Sequence, residues 1–105
     1  MRFLFAAATC GLLIASSAGL AAGDAAAGKA KSETCLGCHG IPGYNNVYPT
    51  YHVPKLSGQH ADYIVAALKA YRDGQRTHGT MNVQAMSMSE QDMADIGAFW
   101  QGMGK

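Results

Sequence analysis

Cys35-Leu36-Gly37-Cys38-His39 is the stretch from which the rest of this sequence is read. Two thiols three positions apart fall on one side of a helical turn, so both reach the two vinyl edges of one porphyrin. The histidine that follows turns its imidazole beneath the ring and binds iron from one side. A C-x-x-C-H run is therefore a covalent attachment site for haem c, with Cys35 and Cys38 as thioether positions and His39 as an axial iron ligand. Two other readings of a C-x-x-C pair have less to support them. A thioredoxin-like dithiol sits in a βαβ unit, and no clear strand pattern flanks these residues. A zinc site needs four ligands at recognisable spacing, and the remaining cysteine, Cys10, lies in a segment read as removed. The motif occurs once, so one haem is expected.

The chain begins with Arg2 and an uncharged apolar run from Phe3 to Leu20, rich in Ala, Gly and Ser. A positive start, a short apolar centre and small residues after it make residues 1–21 a secretory signal peptide, cut after Ala21 or within the next two residues. The alternative is an uncleaved membrane anchor, because the run approaches the length that spans a bilayer. Residues 22–105 then form one exported, periplasmic domain. Arg2 leaves with the signal, which takes the formal charge from +1 to 0. Without a basic excess, neither nucleic acid nor an anionic membrane is a natural partner. A domain this small buries too little of its own surface to be comfortably stable. A large apolar ring bonded to the chain makes up the deficit.

Three main helices and two loops follow from the pattern, an all-α arrangement. The first helix starts after Asp24, an acceptable N-cap, and runs through Ala25 to Lys31 into the haem motif. Gly28 costs about 1 kcal/mol there relative to Ala, which a close helix crossing would explain. An irregular loop, Gly40 to Leu56, holds every proline (Pro42, Pro49, Pro54) together with Tyr44, Tyr48 and Tyr51. These tyrosines either cover the haem edge or give the loop a small core of its own. The second helix starts after Ser57 and ends near Asp73, with Gly74 as the C-cap glycine. Its buried face is Ile64, Ala67, Leu68 and Tyr71, and Lys69, Arg72 and Asp73 sit off it in solvent. A second loop, Gln75 to Met88, carries Met81, Met86 and Met88. The third helix opens on Ser89-Glu90-Gln91-Asp92, a capping-box-like start, and repeats Met93, Ile96, Gly97 and Trp100 on one face.

The residues leave the second axial ligand open among Met81, Met86, Met88, His52, His60 and His78. A thioether favours Fe(II) and raises the potential more than a second imidazole does. Met86 and Met88 lie close to the third helix, where methionine commonly fills a core. Met81 sits far enough from the helix cap to reach back over the ring, and His60 sits at a helix start.

Taken together, Ala22-Gly23-Asp24, Cys35 to Gly40, Pro54-Lys55-Leu56-Ser57-Gly58-Gln59, Tyr63, Ser89-Glu90-Gln91-Asp92 and Asp95-Ile96-Gly97-Ala98-Phe99 carry a resemblance. In their order and spacing they resemble a class I c-type cytochrome, and most closely a single haem domain of the bacterial cytochrome c-four group. The resemblance implies the small class I cytochrome c fold, with its first and last helices crossing so that Gly28 lies near Phe99. It implies Met81 as the iron-binding methionine, with Met86 the alternative if the correspondence slips along this loop. It also implies that the carbonyl of Pro54 accepts a hydrogen bond from the His39 ring. The chain departs from the group in having one haem motif rather than two and in a longer, tyrosine-rich loop from Ile41 to Val53. It also lacks the Gly or Pro often found just after the ligand, having Asn82-Val83-Gln84-Ala85 instead.

With both axial positions filled, the expected role is non-enzymatic. The chain would be a periplasmic electron carrier between redox proteins, such as a cytochrome complex, a dehydrogenase or a terminal oxidase or reductase. It would meet a membrane only through those partners or an uncut signal. Two alternatives stand beside it: a five-coordinate haem c acting as gas sensor or weak peroxidase, and a fixed cytochrome subunit of a dehydrogenase or oxidase complex.

Overall fold

Asp24 caps the first helix as its chemistry suggests, accepting the Ala26 N–H on its carboxylate, and α1 runs over Ala25–Lys31. The computed structural model describes Gly11 and residues 22–104; the rest of the signal segment, Cys10 included, lies outside the described residues. The continuous helix expected from Asp24 to the haem motif is broken at Ser32. That residue is fully buried, ends α1 and starts α2, Glu33–His39. Its carbonyl accepts from both Cys35 and Leu36 N–H groups. The break frees α2 from the direction of α1.

Further along, the Gly40–Leu56 segment contains a small antiparallel hairpin that was expected to be irregular. β1 (Asn45–Val47) pairs with β2 (Thr50–His52), Asn46 opposite Tyr51. Val53 N–H then bonds the Tyr44 carbonyl at 3.1 Å and closes the hairpin's base. α3 covers Ala61–Arg72, starting three residues later than expected because Leu56–Gln59 first makes a turn. At its other end, Gly74 takes the left-handed backbone, φ +78°, that stops a helix without strain. The loop expected from Gln75 to Met88 holds a further helix, α4, Gly79–Met86. α5 spans Glu90–Gly102 and opens with the capping box, Ser89 Oγ accepting from Asp92 N–H and Asp92 Oδ2 accepting from Ser89 N–H. Among the described residues the architecture is therefore five helices and one hairpin, where three helices and two loops were expected.

The core is the seam between α3 and α5, where Ile64 and Leu68 meet Met93, Ile96 and Trp100. α1 crosses the other side of α5, and α4 packs chiefly on α3. Gly28 is the crossing point. A Cβ there would run into the Asp95 carbonyl and the Phe99 Cβ, so the helix axes approach only because Gly28 has no side chain. Asp95 is buried on α5 and locks the crossing. It accepts Asp24 N–H at 2.9 Å, Lys31 Nζ at 2.6 Å and Gln91 Nε2 at 3.0 Å. The Asp24 N–H first, then Lys31 and Gln91, hold its carboxyl down to about 2, and the same pairing raises Lys31. Lys69 and Arg72 sit off the buried face of α3, as expected, and reach Glu90 at 3.4 and 3.8 Å in partly exposed pairs of little energetic weight.

Two outcomes are expected. Gly28→Ala would gain about 1 kcal/mol of helix propensity but meets a backbone carbonyl that cannot rotate away. Overpacking of this kind costs about 1–3 kcal/mol, so the variant should melt about 10 °C lower, and an unchanged or raised Tm would contradict the crossing. Asp95, depressed when folded, stabilises the fold above its unfolded value near ~3.9. That contribution is lost as pH falls through about 2. Denaturant titrations between pH 4 and pH 2 should show a steeper loss of stability for the wild type than for Asp95→Asn.

Candidate functional site

α2 follows the Ser32 break and turns Cys35, Cys38 and His39 into one cavity of about 410 Å³, within the range of cofactor sites. The walls are mainly apolar. Ile64, Ala67 and Leu68 come from α3, Val53 and Leu56 from the loop after the hairpin, Met88 from the turn between α4 and α5, and Ile96 from the inner face of α5. α4 contributes Met81 to the lining. Burial pushes the Cys35 thiol up from its ordinary value, more than its hydrogen bond with Thr34 brings it down.

The His39 ring is oriented by a backbone group. Its Nδ1 lies 2.7 Å from the Pro54 carbonyl oxygen. A carbonyl can only accept, so Nδ1 carries the proton and donates it, and Nε2 is left with a free lone pair. A ring held this way is both fixed in tautomer and a stronger metal donor.

Helical spacing explains how the three loop methionines separate. Met81, Ala85 and Met88 stand at i, i+4 and i+7; Ala85 is fully buried and both methionines line the cavity. Met86 points the other way, 70% exposed, and does not line the cavity. Among the candidate histidines, His60 caps α3, is exposed and is not on the cavity wall. His52 and His78 do line it. His52 Nδ1 is 3.1 Å from Asn45 Oδ1. His78 serves as N-cap of α4, its Nδ1 accepting Met81 N–H over a long 3.5 Å. Tyr51 lines the cavity as well, its ring edge-on to His78 at 4.6 Å, whereas Tyr48 is almost wholly exposed.

The donor set suits haem c. Two thiols, an imidazole with a free Nε2 and the thioethers of Met81 and Met88 line one mainly apolar space. Lys55 and Arg76 are the lysine and arginine among its lining residues, the charges that haem carboxylates call for, and Arg76 is stacked 4.6 Å over Tyr71. Sequence reasoning missed α4 and the hairpin as site-building elements. The 81/85/88 spacing was the available signal for α4, and the β-branched and aromatic residues on either side of Pro49 for the hairpin.

Comparison with known proteins bears on the fold and the cofactor. The sequence model of the cytochrome c family matches residues 25–103. Cytochrome c-554(548) of Halomonas halodenitrificans is 48% identical over 82 residues, covering 75% of this chain and 95% of that protein. Cytochrome c4 of Pseudomonas aeruginosa is 42% identical over 80 residues, covering 76% of this chain and 38% of that protein. Among solved structures, Acidithiobacillus ferrooxidans cytochrome c4 matches with a TM-score of 0.65 at 27% identity, covering 83% of this chain and 54% of that one. The chain thus spans about half, or less, of the cytochrome c4 proteins it matches.

Proposed function

The chain belongs to the cytochrome c family of electron-transfer proteins, with covalent haem c, and on that premise we propose that His39 and Met81 are its axial ligands. In this reading it carries single electrons between redox proteins of the periplasm. The observation that carries the reading is the convergence of Cys35, Cys38, His39 and Met81 on one cavity. Haem c supplies the one-electron couple between Fe(III) and Fe(II). The protein sets its potential: His39, protonated at Nδ1 by its bond to Pro54, gives a well-oriented imidazole. Met81 gives a neutral thioether that favours Fe(II). With both axial positions filled, no coordination position would be left for a substrate, which fits a carrier rather than an enzyme. Apolar walls keep water away and reduce the reorganisation that accompanies a change of charge.

Export through residues 1–21 belongs to the same proposal. Among the described residues no helix is long and apolar enough to cross a membrane. Partners would meet a surface with little net charge. Val83 and Met86, 66% and 70% exposed on the outer face of α4, give this surface apolar contacts close to the cavity. Electrostatic steering would then be weak.

Visible spectra of the loaded protein test the ligation. The wild type should be low-spin in both oxidation states, show the weak red-edge thioether–iron band when oxidised, and not respond to carbon monoxide. Met81→Ala should lose the band and bind carbon monoxide, while Met86→Ala should keep the wild-type spectrum. A wild type that is high-spin or takes up carbon monoxide would favour the open-site sensor or peroxidase instead. Electron-transfer rates with redox partners should change only mildly with ionic strength, and a steep fall would contradict apolar docking.

A further inference from the structure

We propose that Asn82 is the positioning residue for Met81: by tying the first turn of α4 to the end of α3, it sets how firmly the thioether stays on the iron. The inference rests on the reading of Met81 as the axial ligand. A side-chain amide has two N–H donors and one carbonyl acceptor, and Asn82 uses all of them. Its Nδ2 donates to the Tyr71 carbonyl at 2.8 Å, in the last turn of α3, and to the Arg76 carbonyl at 2.9 Å in the connection that follows. Its Oδ1 accepts the His78 N–H at 2.8 Å, at the cap of α4. One side chain therefore holds three points along the route from α3 to α4.

Besides the backbone bond from Asn82 N–H to the His78 carbonyl at 2.8 Å, the other side-chain ties to that turn are weaker. The Met81 N–H to His78 Nδ1 bond is 3.5 Å long, and the Tyr51 hydroxyl lies an exposed 3.3 Å from Thr80 Oγ1. α4 has eight residues, too few to persist as a helix on its own strength. Its outer face is open at Val83 and Met86, and its packing is chiefly on α3. The place of Met81 over the cavity thus depends on how α4 is fastened to α3.

A thioether is a neutral, weak ligand, so the bound state is in equilibrium with one in which Met81 has swung away. Removing the Asn82 amide leaves two carbonyls and one N–H without these partners in the closed state, which favours the open one. A competing ligand that binds only open iron reports the open fraction directly, because its apparent Kd falls as that fraction rises.

Imidazole is the probe: it is titrated into the oxidised, haem-loaded chain while the red-edge band is followed, with denaturant unfolding measured in parallel. Asn82→Ala should bind imidazole about tenfold more tightly than the wild type. Gln101→Ala removes a comparable bond far from the ligand, the one from Ala61 N–H to Gln101 Oε1 at 2.7 Å. It should unfold more easily yet bind imidazole as the wild type does. Asn82→Asp keeps the acceptor for His78 N–H and places a favourable negative charge in the first turn of a helix, but loses both donations. It should also bind imidazole more tightly, whereas a role limited to helix stability would make it bind more weakly. The proposal is overturned if Asn82→Ala and Asn82→Asp match the wild type, or if Gln101→Ala shifts as much as they do. If the wild type already binds imidazole as tightly as Met81→Ala, the ligand assignment fails first and the proposal falls with it.

Discussion

The backbone contact between α1 and α5 at Gly28 is the constraint on which the rest depends. Two helices can come this close only where one has no Cβ, and Gly28 against the Asp95 carbonyl is that place. Asp95 then fastens the crossing through the Asp24 N–H, Lys31 and Gln91. With α1 fixed on α5, the buried Ser32 fixes where α2 departs, and α2 carries the two cysteines and the histidine. The position of the haem motif is thereby set from outside the motif.

Each wall of the cavity is held differently. On the His39 side a backbone carbonyl does the orienting, at Pro54, within a segment anchored by the buried Val53 and by the hairpin base. On the Met81 side there is a short helix with an exposed outer face, fastened by side-chain hydrogen bonds and by the packing of Ala85 and Met88. His39 rests on a backbone-defined support, and Met81, the proposed second ligand, on a short helix whose tie to α3 runs through the Asn82 side chain.

Local chemistry made much of this readable from sequence. C-x-x-C-H specifies its own use, Ser89 and Asp92 announce a helix start, and Met93, Ile96, Gly97 and Trp100 mark a buried face that the structure places against Ile64 and Leu68. Gly28 could be read as a crossing because a glycine inside a helix needs a reason. Other features were hidden for physical reasons. α4 is short, and its inward residues, Met81, Ala85 and Met88, are mixed with the outward Val83 and Met86, so its apolar pattern is blurred. The hairpin strands have three residues each, and their pairing is a matter of tertiary register. Asn82 stood out only as a departure from the family's usual residues, since its three bonds join parts of the chain that only the fold brings together.

The central claim, that His39 and Met81 together close the iron to substrates, is tested most directly by proton–carbon NMR of the reduced, haem-loaded protein with labelled methionine methyl groups. A methyl bonded through sulfur to low-spin Fe(II) lies in the ring current of the porphyrin. One methionine methyl should therefore appear far upfield of all the others, vanish in Met81→Leu and persist in Met86→Leu. A spectrum with every methionine methyl in its ordinary range, or an upfield signal that survives Met81→Leu, would contradict the account.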